Sequence, residues 1–162
     1  MHPAKLMLDF CQWALHSHFG HAVSDSVWLF PAIEICHLLG LAVLGGTILL
    51  LNLRLMSLRF PDEPVAELAR DVQPLMVGSL AVMLVSGFFL FSSEAVKMYG
   101  NVAFHYKMIF LLLAIVYTFT IYRKVVLSAE GRIRLFWRVS AALLSLALWA
   151  GVGLAGRAIG YV

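Results

Sequence analysis

Four long apolar runs separated by short polar stretches organise the chain: Trp28 to Leu51, Pro74 to Ser92, Val102 to Tyr122, and Leu135 to Ile159. Each approaches the roughly twenty residues that, at about 1.5 Å per residue, cross the hydrocarbon layer of a bilayer as a helix. Turn-forming and charged residues mark where the chain reverses in water, at Arg59-Phe60-Pro61-Asp62-Glu63-Pro64 and at Ser128-Ala129-Glu130-Gly131-Arg132. The pattern predicts an all-α integral membrane protein, an up-down bundle of four transmembrane helices over residues 28–162. Upstream, within residues 1–27, Leu6, Phe10 and Trp13 recur at helical spacing beside Cys11, Ala14 and Leu15, which predicts a short amphipathic helix lying on the membrane interface. That segment has no apolar core of the kind a cleavable signal needs, so it is expected in the mature protein.

Composition agrees with the pattern. Hydrophobic residues make up 62% of the chain and charged residues 13%, with a mean hydropathy of +0.89, far from a soluble globular average. The net charge of +3 does not point to nucleic acid, because the basic residues flank apolar spans and form no basic patch interleaved with aromatics. It carries topology instead. Arg54, Arg59 and Arg70 lie in or near the first connection, and Arg123, Lys124, Arg132, Arg134 and Arg138 in or beside the third; the positive-inside rule puts both on the cytoplasmic side. Lys5, Lys97, Lys107 and Arg157 fall on the other side, with both termini, so a multi-pass protein of a bacterial inner membrane with periplasmic termini is expected. Trp28, Tyr99, Tyr106, Tyr122, Trp137 and Tyr161 fall near span ends and are expected in the aromatic belts.

Against this background Glu34 and His37 stand out, three residues apart inside the first apolar run. An ionisable residue at the centre of a span costs roughly 2.5–3.5 kcal/mol on insertion scales, so it usually faces a protein interior where a partner or cofactor offsets the cost. Counting from the span ends puts Glu34 about 9 Å deep, Lys107 about 8 Å and His37 about 14 Å. The matching depths predict a Glu34–Lys107 ion pair between the first and third spans, with His37 one turn below and His105 and Arg157 shallower.

A neutral imidazole in an apolar site is a good ligand for heme iron or another transition metal. His37 is therefore the first candidate ligand; a histidine so placed can equally serve by donating one hydrogen bond to a neighbouring helix. His105 is the weaker candidate, because its depth differs from that of His37 by roughly 9 Å along the membrane normal; Met83 is another candidate for a sixth ligand. His16, His18 and His21 form H-x-H-x-x-H, a pattern that suits copper or zinc capture but equally suits solvated interfacial histidines. Cys11 and Cys36 form neither C-x-x-C nor C-x-x-C-H, so a heme would be non-covalent, b-type, and both thiols are expected free. Gly78, Gly87, Gly151, Gly153, Gly156 and Gly160 recur at packing spacings, which serves close helix approach or room for a flat cofactor. No nucleotide-binding loop, H-E-x-x-H motif or G-x-S-x-G elbow is present, so hydrolysis has no visible support.

The run Ile33-Glu34-Ile35-Cys36-His37-Leu38-Leu39-Gly40, then Asn52-Leu53-Arg54-Leu55-Met56, Asn101 to Met108, and the ending Ser145 to Tyr161 resemble an uncharacterised family of small bacterial membrane proteins over residues 28–162. His37, Arg54, Lys107 and Arg157 match its polar positions, whereas His105 stands at a position not usually histidine. The chain is more distantly similar to HemJ-type protoporphyrinogen oxidases and copper-resistance D membrane proteins, which place a histidine in an early helix and basic residues in later ones. HemJ-type proteins bind b-type heme, and the resemblance implies that role for His37, with Arg54 and Lys107 as the matching basic residues. The C-terminal motif of the HemJ type is absent, so its reaction is not implied.

The expected function is thus that of a membrane-embedded heme b protein in electron transfer, exchanging electrons with quinone or a periplasmic redox partner. His37 would be the axial ligand, Lys107 and Arg157 would neutralise propionates, and Glu34 would orient Lys107 or handle a proton. The competing expectations are a small ion, copper or proton transport protein with His37, Glu34 and Lys107 along the path, and an accessory subunit packed, with other redox subunits or as a homo-oligomer, in a larger respiratory or photosynthetic complex.

Overall fold

The computed structural model describes residues 28–58, 64–128 and 134–161. The expected interfacial helix, with Cys11, His16, His18 and His21, lies outside the described residues. Those described form α1 (Leu29–Leu55), α2 (Val65–Ser93), α3 (Ala95–Gly100), α4 (Val102–Tyr117), a π-helical turn (Thr118–Tyr122), α5 (Arg123–Leu127), α6 (Leu135–Ala158) and a closing 3-10 turn (Ile159–Tyr161). Four stretches, Leu29–Leu55, Val65–Ser93, Val102–Leu127 and Leu135–Tyr161, are long and apolar enough to cross a membrane. They run alternately up and down. We call upper the end that holds the start of α1, the end of α2, α3, the start of α4 and the end of α6.

The second helix begins at Val65 rather than at Pro74. Pro64, with φ −59°, leads into the helix, and Glu67 in the first turn meets the positive end of the helix dipole. Pro74 inside the helix removes one backbone donor, a loss that apolar helices packed among neighbours tolerate. The first helix likewise continues a turn past Leu51, and Arg54 sits in its last turn, where a cation suits the negative end of the dipole.

Two antiparallel hairpins make the bundle. α1 packs along α2 and α4 along α6, and the pairs join through α1 with α6 and, lower down, α2 with α5. Leu44, Ile48, Leu80 and Met83 form a central apolar layer. Leu55, Val65, Tyr117, Tyr122, Val126, Ala141 and Ala142 form a lower one. At the upper end Asn101 caps α4 by accepting from the Phe104 N–H at 3.1 Å, while its amide donates to the Ile159 carbonyl at 3.3 Å. One side chain therefore pins the start of α4 to the end of the chain. The outside is apolar, with Leu39, Leu112 and Leu154 all more than 60% exposed, a surface that suits lipid rather than water.

Tyr122 departs from the expected aromatic belt. Its side chain is 5% exposed and its ring centre lies 6.2 Å from that of Tyr117. The π-helical turn is the reason: i→i+5 closure brings residues five apart onto one side, where an α-helix would separate them widely. Trp28, Tyr106, Trp137 and Tyr161 are exposed near helix ends, as belt residues would be.

Glycines set the spacing of α4 and α6. A Cβ on Gly151 would lie 2.8 Å from Phe110 Cδ1, whereas one on Gly46 would meet nothing within 4 Å. Gly151→Ala is expected to destabilise by about 1–2 kcal/mol, overpacking of about 1–3 kcal/mol less a helix-propensity gain of about 0.5–1 kcal/mol. Gly46→Ala should be neutral or slightly stabilising. Thermal unfolding in detergent measures both, and equal stability of the two variants would show that the Phe110 ring gives way freely.

Candidate functional site in the upper half of the bundle

His37 lies two turns into α1 and faces α2. Its Nδ1 is 2.9 Å from the Ser86 hydroxyl oxygen. That hydroxyl is also 2.6 Å from the Val82 carbonyl; when its proton goes there, the imidazole is the donor to Ser86, from Nδ1. In that tautomer Nε2 keeps its lone pair, the form in which histidine binds a metal, and the partner on the other nitrogen is the kind of support that orients such a ligand. Gly87 lies against the ring: a Cβ there would sit 3.2 Å from His37 Cε1, so the glycine makes the space the imidazole fills.

Lys107 enters from α4. Its side chain lies along Gly156 of α6, where a Cβ would be 3.6 Å from Cε and 3.7 Å from Nζ. Helices from both hairpins thus bring polar groups into the upper half of the bundle. Among the described residues Lys107 forms no ion pair, and the ion pair present is Lys97–Glu94 at 3.5 Å on the exposed surface. The site presents an imidazole held by Ser86 and an amine with no acidic partner among the described residues.

The other expected members are elsewhere. Glu34 does not pair with Lys107: although it lies within a turn of His37 on α1, its side chain is exposed. His105 is exposed and its Nδ1 bonds the Asn101 carbonyl at 2.9 Å, so it does not join His37. Arg157 is exposed with its guanidinium 5.5 Å from the Tyr161 ring centre. Arg54 is buried at the lower end of α1, about 25 Å along the helix from His37. Met83 is buried one layer below the imidazole, against Gly40. Cys36 is a free thiol on the outward face rather than inside the bundle.

Ser86 and Gly87 are the residues that sequence reading missed as partners of the histidine. A signal existed: six residues back from Ser92, Ser86 lies about 9 Å below the upper end of its span, in the depth range of Glu34, Lys107 and His37. An apolar groove of about 410 Å³ opens on the outer side between α1 and α2, with Ser86, Cys36 and Phe89 in its wall; His37 and Lys107 do not line it. Among the described residues no three histidine, cysteine or acidic side chains gather as a metal site. A metal that brings most of its own ligands, as heme iron does, needs only what His37 offers.

A second polar group lies below the central apolar layer. Asn52, fully buried, donates to the Ile48 carbonyl at 2.8 Å and to Ser145 at 3.3 Å, and Tyr117 donates to the Ala141 carbonyl at 3.0 Å. Trp149 donates to Thr118 at 3.2 Å. Leu44, Ile48, Leu80 and Met83 separate this group from His37, and Thr47 between them spends its proton on the Leu44 carbonyl at 2.8 Å.

The chain belongs to a family described as a family of unknown function (DUF6644), whose model matches residues 10–162. No curated protein and no solved structure matches it. Family membership thus covers the whole bundle and leaves the chemistry to be argued from the site.

Proposed function

We propose that this member of the family is a multi-pass protein of a bacterial inner membrane that holds one b-type heme in the periplasmic half of the bundle and transfers electrons, with quinone or a periplasmic redox protein as the exchange partner. The observation that carries the reading is the His37–Ser86 hydrogen bond, which orients the ring and frees Nε2 when Ser86 donates to Val82, with Lys107 free of an acidic partner among the described residues. His37 would bind the iron, and Lys107, rather than the more distant Arg157, would face a propionate. Bound there, the heme would supply a one-electron couple. The distant similarity of the His37, Arg54 and Lys107 positions to HemJ-type proteins, which bind b-type heme, agrees with this reading.

The central layer favours a bound redox group over an ion or proton path. Leu44, Leu80 and Met83 are each less than 10% exposed, and they interrupt the polar groups that such a path would link. A second membrane chain is favoured separately by Glu34: an acid on the lipid-facing side of a span calls for cover.

Protein purified in mild detergent from heme-replete cells is expected to show near-stoichiometric b-type heme in oxidised and dithionite-reduced spectra and in the pyridine hemochrome assay. His37→Ala should lose the heme while remaining in the membrane, and Ser86→Ala should weaken retention roughly 10- to 100-fold, the usual effect of removing a group that orients a metal ligand. A colourless wild-type protein rejects the reading; a fully loaded His37→Ala rejects the ligand. Lys107→Gln removes a positive charge that favours the reduced state, so redox titration should find a more negative midpoint potential. Crosslinking of intact membranes through a photoreactive group at Leu38, next to the Glu34 face, should trap a second polypeptide, whereas lipid adducts alone would argue against one.

A further inference from the structure

A cleft of about 300 Å³ opens at the lower end of the bundle between α2 and the π-helical turn with α5. The proposed heme site does not use it. Arg70 and Gln73 reach it from α2, Arg123 from α5, and Tyr122, Phe119 and Met76 are in its wall. Neither Arg70 nor Arg123 has a hydrogen-bond or ion-pair partner among the described residues. Two guanidinium groups from different helices facing one cleft repel unless an anion lies between them. Tyr122 adds a second, independent observation. It is 5% exposed, and its buried hydroxyl has no hydrogen-bond partner among the described residues. A donor in that condition is costly unless an acceptor meets it.

The shape and depth narrow the acceptor. Arg70 stands five residues into α2 and Arg123 opens the last turns of the third span, both about 6–8 Å from a helix end, the depth of the headgroup region. The walls below them are apolar. Arginine forks suit phosphate oxygens, and apolar walls suit acyl chains. The positive-inside reading puts this end in the cytoplasmic leaflet, where anionic lipids are found. The π-helical turn is what lets one segment supply both the inward Tyr122 and the neighbouring Arg123.

We infer that this cleft is a specific site for one anionic phospholipid, its phosphodiester held between Arg70 and Arg123 with Gln73 at the rim and the Tyr122 hydroxyl as a deeper donor. The lipid would bridge α2 to the third span.

The test is native mass spectrometry of delipidated full-length protein titrated with dioleoyl phosphatidylglycerol, with dioleoyl phosphatidylcholine and glycerol 3-phosphate as separate arms. One tightly retained phosphatidylglycerol is expected. Arg70→Gln with Arg123→Gln should weaken it at least tenfold, and Tyr122→Phe roughly 2- to 10-fold, as for loss of one hydrogen bond. Lys124→Gln with Arg134→Gln makes the same change in net charge off the cleft and should bind as wild type does. Equal retention of phosphatidylcholine, full displacement by glycerol 3-phosphate, or equal loss in both double variants would each overturn the inference. If the Arg70 and Arg123 double variant fails to fold, Arg123→Gln alone and Tyr122→Phe carry the same comparison.

Discussion

A hydroxyl packed inside a dry helix bundle has one proton and places it on the nearest carbonyl of its own helix. Thr47, Ser79, Ser86, Ser92 and Ser93 all do so. The rule looks like a local detail, yet the site follows from it. With its proton on Val82, Ser86 meets His37 as an acceptor, and in that arrangement Nε2 of the imidazole keeps the lone pair. A side chain of α2 thereby sets the chemistry of a side chain on α1. Burial away from water makes the arrangement firm, since either partner left alone would forfeit a hydrogen bond with nothing to replace it.

Small residues do the complementary work by deciding where large ones go. Gly40 lies against Met83, Gly87 against His37, Gly151 against Phe110 and Gly156 against Lys107. In each pair the glycine is on one helix and the large group on its neighbour, so close approach and the placement of polar side chains are one event. Gly45, Gly46, Gly78 and Gly153 have open space instead, and they show that glycine content by itself says little about packing.

Much of the fold was legible in the sequence because apolarity over twenty residues is a property of composition, and its physical cause is local. The choice of His37 and Lys107 also followed from local facts, a polar residue in an apolar span at a countable depth. What failed required angles or neighbours. Glu34 has nearly the right depth for Lys107 but an exposed side chain, and depth alone cannot detect that. Tyr122 lies at a span end as a belt residue does, and only the π-helical turn rotates it inward. The second span reads as Pro74 to Ser92 because the uninterrupted apolar run lies there, while the helix itself begins at Val65, through residues such as Arg70 and Asp71 that apolarity does not count. Ser86 has a matching depth as its only signal; the pairing itself exists only once α1 and α2 are laid together.

The two polar regions, around His37 above and around Asn52, Ser145 and Tyr117 below, are divided by the layer of Leu44, Ile48, Leu80 and Met83. That division bears on which particle the bundle can carry. A proton needs an unbroken chain of donors and acceptors, and a metal ion needs successive ligands; the central layer offers neither, and Thr47, the hydroxyl closest to a bridge, is occupied by its own helix. An electron needs no such chain, only a centre held at fixed distance from its partner inside packed protein. The same layer gives the polar group around His37 an apolar floor, the setting that the proposed electron-transfer role would use.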